Sequence, residues 1–382
     1  MALKFGTKCV HAGKQQDPHN GSIVAPIQQS VTFRQAGINQ PIGFEYARAG
    51  NPSREILERA ISELEGYKHS ICFGSGIASE LALFQTLSSG DHVIFCEDTY
   101  GGTYRLMNSI LKKFGLKNDF IKMGNPEEIS KFVTKDTKMV FVESPTNPLL
   151  DVIDLKHVGE VAEKHNLMYI VDNTFLSPVF QQPKKFGADV VVHSITKYLA
   201  GHNDVMAGSL SYDDEELHEK LKLMIKATGA VLSPFECYLT LRGLKTLELR
   251  MKKHDANHKE LAEYLARHEK VSRVYSTHLS SHPKYALAHS QASGQGGTFS
   301  FELKGGLKAA EKFVKALKLW TYAESLGGVE SLISHPPTMS HSSIPREVRL
   351  KKGISDGLLR LSCGIENSED LIEDLEKGFA AI

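Results

Sequence analysis

The stretch Ala188–His202, ADVVVHSITKYLAGH, constrains the fold more than any other part of the chain. Its β-branched run Val190–Val192 reads as a buried strand, because parallel strands covered on both faces are nearly continuous in Val and Ile. Ser194, Thr196 and Lys197 follow at once, and Gly201 a little later. A lysine at the exit of a buried strand is costly to desolvate and loses rotamer entropy. The same desolvation lowers its pKa and frees the amine for an imine with a carbonyl cofactor or substrate. Taken alone, such a lysine is more simply read as one whose ammonium reaches water along a buried stem. The residues elsewhere in the chain change that reading.

Strands are expected at His69–Phe73, Asp91–Glu97, Lys138–Glu143, Leu167–Asp172 and Ala188–His193, with helices at Ile77–Ser88, Tyr104–Phe114 and Leu155–His165. This alternation predicts an α/β fold with a mostly parallel central sheet flanked by helices. Ahead of it, Asn51 as N-cap and Pro52 in the first turn open a helix. Ile56, Leu57, Ala60, Ile61 and Leu64 repeat at helical spacing until Gly66 ends it. The residues before this helix have little periodicity, as in His11-Ala12-Gly13 and Val24-Ala25-Pro26-Ile27. They are expected to form an extended arm lying on their own domain or on a neighbouring subunit. From Leu244 a long helix, Lys245–Arg267, leads into strands at Val271–Tyr275, Gly297–Leu303 and Leu358–Ser362 and helices at Leu307–Leu317 and Glu369–Phe379. That region predicts a smaller C-terminal α+β domain. The expected divisions are an arm over 1–48, a main domain over 49–243 and the small domain over 244–382.

In parallel sheets the site lies beyond the strand C-terminal ends, and there the polar residues gather. Gly74-Ser75-Gly76 follows the first strand and Asp98–Gly102 the second. Ser144–Pro148 follows the third, Asp172-Asn173-Thr174 closes the fourth, and Ser194 to Lys197 follow the last. A Gly-Ser-Gly turn at a helix start offers free N–H groups and a positive dipole end to a phosphate. Ser194 and Thr196 add hydroxyls, and Tyr100 offers a flat face for a ring. Asp172 beside Lys197 suits a cofactor with one protonated ring nitrogen and one aldehyde. Those are the needs of pyridoxal phosphate.

The chain resembles the pyridoxal-phosphate enzymes of cysteine and methionine metabolism, the γ-subfamily of fold type I, over nearly its whole length. The resemblance rests on Gly43–Pro52 (GFEYARAGNP), Asp98–Thr103 (DTYGGT), Glu143–Pro148 (ESPTNP), Val171–Thr174 (VDNT), Ser194–Tyr198 (SITKY), Glu324–Gly328 (ESLGG) and Leu359–Ser362 (LRLS). It implies an aspartate-aminotransferase-like fold, with Lys197 as the imine-forming and proton-moving lysine, Asp172 as the pyridine partner and Tyr100 as the stacking and catalytic ring. It implies a phosphate held by Gly76, Ile77, Ser194 and Thr196, with Tyr46 and Arg48 reaching the phosphate of a neighbouring subunit. Arg360 would take the substrate α-carboxylate, helped by Asn147 and Ser325, and Glu324 would suit a distal ammonium. A homotetramer built of two active dimers is implied as well. Within the family, Gly229–Pro234 (GAVLSP), Leu241–Thr246 (LRGLKT) and Gly353–Asp356 (GISD) look most like the cystathionine γ-lyases. That implies γ-elimination from cystathionine, with hydrogen sulfide release from cysteine open to the same chemistry. Cystathionine γ-synthases share all the named residues and are the alternative. Methionine γ-lyases carry a cysteine where this chain has Gly102, and they and the cystathionine β-lyases come behind. The loop His335–His341 (HPPTMSH) and the residues Ala47 and Ser53 depart mildly from relatives.

Composition narrows the field further. Lys and Arg total 45 and Asp and Glu total 45, so nothing asks for nucleic acid or an anionic membrane. Five scattered cysteines form no ligand spacing, the start Met1–Gly6 has no apolar signal core, and a cytoplasmic compartment is expected. His254 and His258 stand at i and i+4, as in a zinc helix, but no third ligand is evident; a solvated helix face and no metal are expected. A nicotinamide oxidoreductase would fit the α/β rhythm but lacks the glycine fingerprint and the acidic ribose partner.

Overall fold

The computed structural model describes residues 3–14, 20–342 and 344–382, which leaves Met1 and Ala2 outside. Seven strands form the large sheet: β1 (His69–Phe73), β2 (His92–Cys96), β3 (Lys117–Ile121), β4 (Thr137–Glu143), β5 (Met168–Asp172), β6 (Val190–His193) and β7 (Gly208–Tyr212). Their spatial order is β1-β7-β6-β5-β4-β2-β3, and every pairing is parallel except the two that β7 makes. The sheet is therefore mostly parallel, as the alternation predicts. It places the C-terminal ends of β1, β2, β4, β5 and β6 along one edge.

Both faces of the sheet are covered, which explains the nearly continuous apolar strands. Phe73, Phe95, Phe141, Val190 and Val192 face one buried cluster, and Ile94, Val140, Val142, Val171 and Val191 face the other. Each such side chain, once buried, contributes on the order of 1.5–3 kcal/mol, so register is strongly held.

β7 and β3 escape sequence reading. In β7, Ser209 and Ser211 alternate with Leu210 and Tyr212 like a half-exposed strand, yet all five residues are buried. Ser211 Oγ satisfies its polarity across the sheet on Ser70 Oγ at 2.7 Å. β3 alternates exposed and covered positions at the sheet margin. The helices Pro126–Phe132, Glu215–Thr228 and Pro234–Leu244 also go beyond the expected elements.

Of the helices, α1 (Phe5–His11) docks on the chain itself: Cys9 joins a core with Leu57, Ala60, Leu247 and Met251. α2 (Pro52–Glu65) begins as expected, Asn51 Oδ1 accepting from the N–H groups of Ser53 and Arg54, and ends at Gly66 with φ 80°. α3 (Gly76–Phe84) is shorter than expected, because the Thr86 hydroxyl takes the Leu83 carbonyl at 2.6 Å and competes with the helix. In place of one helix over Tyr104–Phe114 there is α4 (Gly101–Arg105), then a π-helical turn over Leu106–Ile110 and a 3₁₀ turn to Phe114.

The rest of the arm crosses the start of α2, where Asn51 Nδ2 donates to Gln28 O at 2.8 Å. Beyond that contact its apolar side chains stay uncovered, Ile23 at 84% and Ile38 at 93% exposure.

After α5 (Leu247–Leu265) come β8 (Val271–Tyr275), β9 (Thr298–Leu303), β10 (Thr321–Tyr322), β11 (Leu332–Ser334) and β12 (Leu358–Ser362), in the order β8-β9-β12-β11-β10. This sheet is antiparallel apart from the β10–β11 pair. The expected solvated face at His254 and His258 is wrong: both are fully buried. His254 Nδ1 bonds the Cys363 carbonyl at 2.6 Å, and His258 bonds the Gly296 carbonyl and Ser276 Oγ while its ring stacks on Phe299. They are core histidines that join α5 to the small sheet. Among the described residues no group of three or more His, Cys, Asp or Glu is placed to hold a metal, and no helix is long and apolar enough to cross a membrane.

Candidate active site

The strand ends open onto a cavity of about 580 Å³. Gly76, Ile77, Tyr100, Asn147, Asp172, Ser194, Thr196 and Lys197 line it from the large sheet, and Glu324, Ser325 and Arg360 from the small-sheet region. Eleven of the thirteen expected site residues thus meet at one place. Tyr46 and Arg48 do not: both are exposed on the arm, where the Arg48 guanidinium lies 5.6 Å from the Tyr46 ring centroid and donates to Lys226 O.

At one end, Ser75 caps α3 by accepting from Ala78 N at 3.1 Å, which leaves the first N–H groups of the helix facing the cavity. Backbone crowds this turn: a Cβ on Gly208 of β7 would lie 2.3 Å from Ser75 O. One on Gly76 would lie 3.1 Å from Ser194 Cβ. Only glycine leaves room for β7 and the turn to touch, so the donors converge. The Thr196 hydroxyl is engaged with Ala207, donating to its carbonyl at 3.1 Å and accepting from its N–H at 2.9 Å.

Lys197 Nζ donates to Ser325 Oγ at 2.7 Å. Burial, then the Arg360 charge, bring its pKa down to about 8, with Glu324 opposing. Asp172 accepts from Thr174 N at 2.9 Å, and burial holds its carboxyl above the usual range. Ser325 adopts φ 91°, a left-handed backbone that an L side chain rarely takes and that clusters at functional sites. From there its carbonyl accepts Arg360 Nη2 at 2.7 Å while its hydroxyl meets Lys197. Arg360 Nη1 donates to Asn147 Oδ1 at 3.0 Å, and Arg360 Nε is buried without a partner. The guanidinium is oriented by the protein and still has a donor to offer.

Three charged lining residues carried no role in the sequence reading. Glu143, within the ESPTNP motif, accepts from Tyr100 N at 3.0 Å and Asn147 N at 3.1 Å through its two oxygens. Burial, then Asp172, push it well above the carboxylate range. Glu80 and Arg105 line the same wall. The signal for Glu80 was there: it is the one charge in the otherwise apolar or small run Gly76–Phe84.

The residues present fit pyridoxal phosphate on three counts: a cavity amine of lowered pKa, a glycine-cleared helix terminus, and a desolvated carboxyl at the end of β5, the strand next to that of the lysine. The fold and this site define a pyridoxal-phosphate enzyme of fold type I. The chain belongs to the family described as Cys/Met metabolism PLP-dependent enzyme, whose family model matches residues 6–380. It is 44% identical over 371 residues to a cystathionine beta-lyase of Lactococcus lactis subsp. cremoris, covering 97% of each chain. It is 44% identical over 373 residues to a cystathionine gamma-lyase of Bacillus subtilis, covering 98% of each. It superposes with a TM-score of 0.96, at 41% identity and full coverage of both chains, on a cystathionine gamma synthase from Xanthomonas oryzae pv. oryzae in complex with aminoacrylate and cysteine. The chain is thus a pyridoxal-phosphate enzyme of trans-sulfuration and a carbon–sulfur lyase.

Proposed function

We propose that the chain cleaves L-cystathionine by γ-elimination with water, giving L-cysteine, 2-oxobutanoate and ammonia. The observation that carries this reading is that Arg360, Lys197 and Glu324 line one cavity, with Arg360 buried and Glu324 exposed. A substrate with an α-amino acid at each end finds a guanidinium for one carboxylate, a base at its α and β carbons, and an acid for the distal ammonium. The Arg360 guanidinium, held by Asn147 and the Ser325 carbonyl, receives the α-carboxylate. Lys197, its pKa brought down to about 8, takes the α-proton and carries protons between carbons. Tyr100, its phenol pushed up by partial desolvation, would cover one face of the ring. Pyridoxal phosphate, when bound, would supply the electron sink for these steps: Lys197 would hold its aldehyde until the substrate amine displaces the lysine and frees it as the base, and Asp172 would keep its ring nitrogen protonated.

A second reading, γ-replacement on an O-acyl-homoserine, is favoured by the likeness to the gamma synthase structure. Methionine γ-cleavage is disfavoured by Gly102, since a side chain there would press on the Tyr100 ring at 2.4 Å. The reading includes a homotetramer of two active dimers, in which the uncovered arm carries Tyr46 and Arg48 to the phosphate of a neighbouring copy. It also includes a cytoplasmic location, suited by five free, buried cysteines.

Product analysis of the purified yellow protein tests the proposal, with Lys197→Ala as the blank. Cysteine and 2-oxobutanoate from cystathionine, with little thiol addition to homoserine esters, is the expected result. Efficient cystathionine formation from an ester and cysteine, or pyruvate and homocysteine from cystathionine, would overturn it. A colourless protein would remove the cofactor roles assigned to Lys197 and Asp172.

A further inference from the structure

Glu80 stands one turn beyond Gly76 and Ile77 on α3, on the face that lines the cavity. Its side chain is 3% exposed, and its Oε2 accepts from Thr103 Oγ1 at 2.7 Å. Thr103 is itself buried on α4, three residues after Tyr100. The pair is therefore a direct tie between the helix whose N-terminus faces the phosphate end and the helix that carries the stacking ring.

The charges around Glu80 make its ionised form costly. Asp172 at the end of β5 raises its pKa, and no cation offsets that effect. Glu143 at the end of β4 feels Glu80 as a like charge. Tyr100 and Arg105 line the same wall from the α4 side, and Lys197 lines it from beyond β6. On the other side of α3, the helix Glu215–Thr228 contributes Leu217, Leu221 and Ile225 to the shared core. An ion buried without a partner costs several kcal/mol, which protonation avoids. Burial, then the Asp172 charge, push Glu80 up to about 8.

We propose that Glu80 is a positioning residue that works as a neutral carboxylic acid, tying α4 to α3 beneath the cofactor and leaving Asp172 uncontested as the anion for the ring nitrogen. The proposal rests on the assignment of Asp172 made above. In this role Glu80 touches neither substrate nor reacting atoms; it acts through Tyr100 and Asp172.

Two measurements test it, one independent of the cofactor. In the holoenzyme, cofactor dissociation and the visible spectrum are followed from pH 6.5 to 9.5 for wild type, Glu80→Gln and Glu80→Ala. Gln reproduces the neutral acid and can still accept from Thr103. It should stay within about twofold of wild-type cofactor affinity at pH 7 and show a smaller change than wild type near pH 8, the remainder belonging to Lys197. Ala, which loses the tie, should bind the cofactor about tenfold more weakly at every pH. In the full chain stripped of cofactor, unfolding in urea is compared for wild type and Glu80→Gln. A carboxyl whose folded pKa is raised above its unfolded value loses stability as pH rises through that interval. The wild-type unfolding constant should therefore rise relative to that of the Gln variant by up to about tenfold per pH unit between roughly 4.5 and 8. A Gln variant as weak as the Ala variant at pH 7, or a wild-type-to-Gln ratio flat with pH, would overturn the proposal. If the urea ratio rises as expected while Asp172→Asn leaves the spectrum unchanged, the fault lies in the role given to Asp172, not in the protonation of Glu80.

Discussion

Glu143→Gln separates what the carboxylate holds from what its charge costs. Each Glu143 oxygen accepts one backbone N–H, from Tyr100 at 3.0 Å and from Asn147 at 3.1 Å, and the residue is 5% exposed. A glutamine keeps one acceptor and turns an NH₂ donor toward the other N–H. One buried bond is lost and two donors face each other, a loss of about 1–3 kcal/mol. Because Tyr100 is the ring proposed to stack on the cofactor and Asn147 accepts from Arg360, the loss falls on the site. It corresponds to roughly 5- to 150-fold in kcat/KM. Stability should change much less, since the substitution also removes a desolvated charge that pairs in register with Asp172 across β4 and β5. The assay is steady-state cleavage of L-cystathionine alongside thermal unfolding of the holoenzyme. An amide turned toward Asn147 raises KM at unchanged cofactor affinity; one turned toward Tyr100 weakens cofactor binding. A kcat/KM within twofold of wild type would refute the idea that these two bonds position the site.

Three further outcomes are expected. Gly102→Ala places a methyl 2.4 Å from Tyr100 Cε1 and 2.9 Å from Ile77 Cδ1. Tyr100 is 42% exposed and can swing aside, so the ring is displaced and the cofactor should dissociate more readily by about 1–3 kcal/mol, read from the spectrum on dilution. Arg360→Lys cannot reach Asn147 Oδ1 and the Ser325 carbonyl together, so KM for cystathionine should rise roughly 10- to 100-fold with the cofactor spectrum unchanged. His254 and His258 are held neutral by burial, with pKa values brought down to about 4 and about 3. The unfolded chain takes up those protons first, so stability is fully present above about pH 6.5 and falls below it, by up to about 1.4 kcal/mol per pH unit for each histidine. Urea unfolding from pH 7 to 5 should show a shallower slope in His258→Gln than in wild type.

What was legible in the sequence follows from what each signal depends on. Strands buried on both faces announce themselves, so β1, β2, β4, β5, β6 and the polar residues at their ends could be placed without coordinates. β7 could not, because its alternation of serines with Leu210 and Tyr212 reads as a half-exposed strand, while Ser211 is buried against Ser70 opposite and Gly208 is pressed on the Ser75 turn. The histidine pair on α5 was misplaced for the same reason. The lysines around the pair, Lys252, Lys253 and Lys259, suit a wet face, while the partners of His254 and His258 lie on and just before β9, beyond β12 and on the segment following β8. Tyr46 and Arg48 stayed apart from the cavity because a single chain does not bring them there.

The acidic residues follow the same logic one step further. Asp172 was legible since it ends a strand beside Lys197. The roles of Glu143 and Glu80 were not, because they come from packing: one takes two backbone donors, and the other faces Asp172 across the cavity wall. A site with the proposed role of binding a phosphate and two carboxylates would, on charge alone, be basic throughout. Here the cations Lys197 and Arg360 line the substrate region, while the wall beneath Tyr100 carries carboxyls whose pKa values are all driven upward. Glu143 and Glu80 hold hydrogen bonds there at reduced charge, so they can position Tyr100, Asn147 and α4 while Asp172 stays the anion of the wall.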